Sequence, residues 1–138
     1  MNDRHENLFT QLQAYREDIL LVLEGITAGQ AEIVPDKFRN NIRWNMGHIY
    51  LDQYLWIEAL TKEKSPVPEA FRTWFGYGST PADFTEETPS FDEAYGHRLE
   101  EEYPPTEMGM RTIEQVLIRT IFHEGMHLQA IMDIRKWL

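Results

Sequence analysis

Three histidines, His48, His123 and His127, interrupt what are otherwise apolar helical stripes. Between Thr112 and Leu138 the spacing predicts a helix whose inward stripe runs Val116, Thr120, His123, His127, Ala130 and Ile134, in alternating steps of four and three. Two imidazoles therefore fall one turn apart in an apolar seam and aim at a common point about 6 Å away. On a second helix, predicted over Ile42–Leu60, His48 shares a face with Trp44, Leu51, Leu55 and Ala59. A divalent transition metal accounts for all three at once, because neutral imidazole is its commonest protein ligand. The competing reading for His48 alone is a hydrogen-bonded core residue. The pair resists that reading: each ring needs partners for both nitrogens, and their stripe offers only Thr120. His5, near the N-terminus, and His97, between Gly96 and Arg98, read as solvated.

Three neutral histidines would leave the ion's charge intact and at least one coordination position open, as in catalytic rather than closed structural sites. A water, a thiolate or a carbonyl could take that position. Asn45, one turn before His48, and Asp52, one turn after it, flank the ligand face as candidates to orient an imidazole or act on substrate. Imidazole accepts zinc, nickel, manganese or iron, so the residues leave the metal open. His123-Glu124-Gly125-Met126-His127 also matches the H-E-x-x-H pattern, in which the glutamate activates water for peptide hydrolysis. Its context is wrong for a metalloprotease, since Asp133 is the sole acid downstream and no strand alternation is evident. Glu124 stays a catalytic candidate, against the alternative of an exposed glutamate about 100° round the helix from His123.

The elements that must position these side chains read as helical. The first, about Asp3 to Ile26, carries Leu8, Leu12, Tyr15, Ile19, Val22 and Ile26 at bundle spacing and ends near Gly25 and Gly29. The second is apolar almost all round, with Met46, Ile49, Tyr50, Tyr54, Trp56 and Ile57, and should be centrally buried. From Thr61 to Pro89 periodicity breaks in a long loop holding four prolines and Trp74, Phe75, Gly76, Tyr77 and Gly78; a loop of this length is usually functional or packed over something. A short third helix is predicted from the capping box Ser90–Glu93, presenting Phe91, Tyr95, Leu99 and Tyr103 until Pro104 and Pro105 end it. Thr112–Gln115 forms a second capping box and opens the last helix.

At 138 residues, 42% of them hydrophobic, the chain is one domain spanning residues 1–138 with enough apolar side chains for a core. The absence of cysteine removes disulfides, thiolate ligands and a cysteine nucleophile, and fits a reducing compartment. Met1 leads into Asn-Asp-Arg-His-Glu without a signal-type pattern, and no apolar run approaches membrane-spanning length. A cytoplasmic protein without membrane contact is expected. The net charge of −10 argues against nucleic acid, and the sparse basic group Lys37, Arg39 and Arg43 does not reverse it. The nine carboxylates between Asp83 and Glu107 read as a solvated face.

Asn41-Ile-Arg-Trp-Asn-Met-Gly-His48, combined with His123-Glu-Gly-Met-His127, resembles the DinB/YfiT-like superfamily of bacterial metal-dependent proteins, and the likeness covers most of the chain. The resemblance implies an antiparallel four-helix bundle, one divalent ion on His48, His123 and His127, and frequent homodimers. Some such proteins transfer low-molecular-weight thiols such as bacillithiol, and others isomerise maleylpyruvate with mycothiol. One departure stands out: Ser90 to Pro104 gives at most about four turns, shorter than the third helix the resemblance leads one to expect.

The reading is thus an all-α four-helix bundle with a long aromatic loop, a short third helix and an open three-histidine site. The expected function is transfer of a low-molecular-weight thiol to small electrophiles. The alternatives are a hydrolase using metal-activated water and a non-enzymatic protein that binds metal or a small ligand. A homodimer is expected, because an incomplete bundle would expose a large apolar patch.

Overall fold

The computed structural model describes residues 3–61, 64–91 and 113–138. It is all-helical, with no strand among the described residues. Three long helices dominate: α1 (Asp3–Leu23), α3 (Ile42–Thr61) and α5 (Ile113–Arg135). Between the first two lies a single turn, α2 (Ala28–Ala31), closed by a capping box between Thr27 and Gln30. Gly25, at φ +79°, reverses the chain after α1 and ends that helix before Ile26. The stretch expected as a loop contains a short helix, α4 (Ala70–Phe75), and a 3₁₀ turn over Pro81–Asp83. The third helix expected from Ser90 lies outside the described residues, except that Phe91 is buried in the core. No described helix is long and apolar enough to cross a membrane.

Helix α3 is central because two separate apolar clusters claim its opposite sides. Ile42, Met46 and Ile49 join Ile19 and Leu23 of α1 and Ile131 and Ile134 of α5. Trp44, Tyr50 and Leu51 join Val67, Phe71, Trp74 and Phe75. A helix buried on both sides must be apolar all round, as its sequence is. Its first turn is capped by Asn41, fully buried, whose Oδ1 accepts from the Trp44 amide at 2.8 Å while its Nδ2 donates to the Glu32 carbonyl at 3.1 Å.

Two inward stripes differ from expectation. On α1 the buried line runs through Leu12, Ile19 and Leu23, and Tyr15 is exposed. Arg16 takes the inward place between Leu12 and Ile19, because its guanidinium reaches Glu124 of α5 at 3.0 Å and bonds Gln53 of α3. On α5, among the side chains described, the buried positions are Thr120, Glu124, Ile131 and Ile134, so the helix is rotated toward α1 and leaves His123 and His127 on the edge that faces α3. Hydrophobic spacing could not anticipate this, since a buried charge becomes tolerable only with its partner in place.

The segment after α3 is pinned by polar contacts. Arg72 of α4 bridges to Glu58 at 2.8 Å. Arg43 donates to the carbonyls of Thr88 at 2.7 Å and Pro89 at 2.8 Å, bridges to Glu32 at 2.8 Å, and covers the Phe84 ring. The Ser79 hydroxyl accepts from Trp44 Nε1 at 2.8 Å. The Arg43–Glu32 bridge apart, these contacts tie the segment back to α3 at both ends of that helix, Arg43 and Trp44 near its start and Glu58 near its end.

Candidate metal centre

One ring nitrogen each from His48, His123 and His127 lies within 4.8 Å of the other two. The tertiary structure thus brings together the three residues that the sequence singled out, one from α3 and two from consecutive turns of α5. Asp133, the downstream acid, is elsewhere: it bonds Gln129 and Lys136 at the surface.

Two of the rings are held by contacts that also assign their tautomers. Asn45 donates its Nδ2 to the Asn41 carbonyl at 2.8 Å, which turns its Oδ1 toward His127 Nδ1 at 2.7 Å. A carbonyl oxygen can only accept, so His127 carries its proton on Nδ1 and presents a lone pair at Nε2. His48 Nδ1 lies 2.6 Å from the Phe75 backbone carbonyl, and the same argument frees its Nε2. Trp44 stacks on the His48 ring with centroids 4.6 Å apart, and Trp56 meets His123 edge-on at 4.7 Å. Burial, reinforced by the neighbouring His48, lowers the pKa of His123 to about 4 against the opposing pull of Asp52, with Arg119 adding to the depression. At neutral pH this ring is therefore neutral.

The donor set fits a cation. His127 Nε2 and His123 Nε2 are 3.1 Å apart. Two lone pairs facing at that distance repel unless a proton or a positive ion lies between them, and nitrogens sharing an ion at about 2.0–2.1 Å from each can adopt such a spacing. Asp52 Oδ2 completes the group, 3.2 Å from His48 Nε2 and 3.5 Å from His123 Nε2. The cluster opens into a cavity of about 740 Å³ walled by Trp44, Leu55, Trp56 and Met126.

The three catalytic candidates fall in different places. Asp52 stands in the cluster, beside the ligand nitrogens. Asn45 stands behind His127 and orients it. Glu124 is neither exposed nor at the cavity: it is 1% accessible and ion-paired with Arg16 on the α1 side of the helix. Sequence reasoning missed the Phe75 carbonyl, since a backbone group has no residue signature. It also missed Arg119, which lies over the Trp56 ring at 4.7 Å and lines the cavity. Its i,i+4 spacing from His123 was the available signal.

Fold and site together define an all-helical protein whose three histidines, drawn from two helices, form a group suited to a divalent ion. The family model of the DinB superfamily matches residues 11–131, and the chain belongs to that superfamily. No curated protein matches the chain.

Proposed function

We propose that this protein is a metal-dependent transferase that conjugates a low-molecular-weight thiol to a small electrophile. The observation that carries the reading is Asp52, a carboxylate 3.2 Å from one ligand nitrogen and 3.5 Å from another, at the floor of a cavity large enough for two small reactants. His48, His123 and His127 would hold the ion, which when bound supplies a Lewis-acidic position that acidifies a thiol or water placed there. Asp52 takes the proton from the S–H group. The sulfur then forms a C–S bond with the electrophilic carbon, and the departing group receives the proton back from Asp52. Trp44, Trp56 and Leu55 line the cavity beside the imidazoles and offer apolar surface to the reactants. The chain has no cysteine, so the thiol must arrive as a co-substrate.

A second reading, hydrolysis, is favoured by the same carboxylate, which could equally take a proton from water. The two separate in one assay. Metal-loaded protein is offered small electrophiles with and without bacterial thiols, and product is followed by mass spectrometry. Thiol adducts that vanish in His127→Ala, and that fall by about a hundredfold in Asp52→Asn, as expected for loss of a proton acceptor, support transfer. Thiol-independent turnover replaces it with hydrolysis. Binding without any turnover leaves a metal-dependent binding protein.

A further inference from the structure

The chain carries a formal net charge of −10, yet the cavity over the three imidazoles is walled by two arginines, Arg39 and Arg119, against one carboxylate, Asp52. Asp52 lies against His48 and His123, and neither arginine pairs with it. Arg16, Arg43 and Arg72 each pair with a glutamate, whereas among the described residues no carboxylate pairs with Arg39 or Arg119. Arg119 is steadied instead by the Trp56 face, and a guanidinium over an aromatic ring keeps its N–H donors for other partners.

An acidic surface repels anions at long range, so two arginines in the cavity wall with no carboxylate partner among the described residues are a local reversal of the protein's field. Guanidinium forks match planar or tetrahedral oxyanions and bind them by charge-assisted hydrogen bonds. The volume, about 740 Å³, is that of a small-molecule site. We propose that the cavity recognises a small molecule bearing an oxyanion group, a carboxylate or a phosphate, which Arg39 and Arg119 hold while its reacting end lies at the imidazoles. This rests on reading the three histidines as an ion site, and it narrows the substrate class within that reading.

The test titrates zinc-loaded protein calorimetrically with 3-mercaptopropionate and with 3-mercaptopropan-1-ol, which share a thiol and a chain length and differ in charge. The carboxylate is expected to bind about tenfold more tightly, the effect of one or two charge-assisted hydrogen bonds. The double variant Arg39→Gln, Arg119→Gln should lose that preference while keeping its zinc and its affinity for the alcohol. Acetate and inorganic phosphate, added separately at matched ionic strength, identify the favoured oxyanion by which erases the preference at lower concentration. Equal affinities in the wild type, or a preference that survives in the double variant, overturn the proposal. If no zinc is taken up, the ion reading fails by itself. The same pair titrated into metal-free protein then decides the arginines: an arginine-dependent preference upholds the oxyanion site, and its absence overturns it.

Discussion

Gly47 and Phe75 pack so closely that a Cβ at position 47 would lie 2.3 Å from the Phe75 ring. Phe75 is fully buried and has no room to yield. The missing side chain lets α4 settle on α3, and that approach sets the Phe75 carbonyl against His48 Nδ1 at 2.6 Å. Gly47→Ala is therefore expected to cost about 1–3 kcal/mol by overpacking and to weaken metal affinity together with stability. Thermal unfolding and chelator competition on one preparation check it; lowered stability with unchanged affinity would separate Gly47 from the site.

Asn45→Ala removes the acceptor that orients His127 while leaving all three histidines in place. Loss of such a supporting hydrogen bond typically lowers metal affinity about 10–100-fold. Chelator competition should show that range with stoichiometry retained at saturating metal. An unchanged affinity would mean that helix packing alone orients the ring.

Glu124→Gln separates the H-E-x-x-H reading from the structural one. The pair with Arg16 is nearly inaccessible, with side chains 13% and 1% exposed, and neutralising Glu124 removes the counter-charge that it gives the part-buried guanidinium. The variant should lose about 1–3 kcal/mol in denaturant unfolding yet bind metal with normal stoichiometry and retain its activity per folded molecule. Abolished activity in a protein of normal stability would reinstate Glu124 as a catalytic acid or base.

The pKa of His123 is lowered from 6.5 to about 4. Above pH 6.5 the ring is neutral in both folded and unfolded chains and contributes nothing to pH dependence. As pH falls from 6.5 toward 4, the unfolded chain binds a proton that the folded chain refuses, so stability declines across that window. Metal-free wild type should therefore lose more melting temperature between pH 7 and pH 4.5, roughly the span of this linkage, than metal-free His123→Gln. Parallel curves for the two proteins would contradict the burial-driven shift.

Ile118, Phe122 and Met126 recur every fourth residue on α5 and are all exposed. Phe122 and Met126 share with Tyr15 of α1 the wall of an apolar cavity of about 380 Å³. A homodimer that covers this face is the expected assembly. Sedimentation at micromolar concentration should give twice the chain mass, and Phe122→Glu should shift it to the monomer; a well-folded monomer in the wild type would rule the dimer out.

The sequence by itself determined the helical class, the ends of the long helices to within a few residues, and the three histidines. It could do so because periodicity is a local property: an imidazole on an apolar stripe can be recognised without knowing what the stripe faces. It also marked α3 as central, since a helix apolar all round has nowhere to go but inside. Only the tertiary structure decided which way the charged residues of α1 and α5 turned. Arg16 and Glu124 are polar in any pattern and become core residues because packing brings each a counter-charge, with Gln53 adding a bond to Arg16. The same holds at the site. The roles of Asn45 and Asp52 depend on α5 crossing α3 at one depth, and the Phe75 carbonyl reaches His48 only because Gly47 leaves space. Hydrogen bonds and ion pairs act over about 3 Å, so residues distant in the chain acquire them only after packing has brought them there.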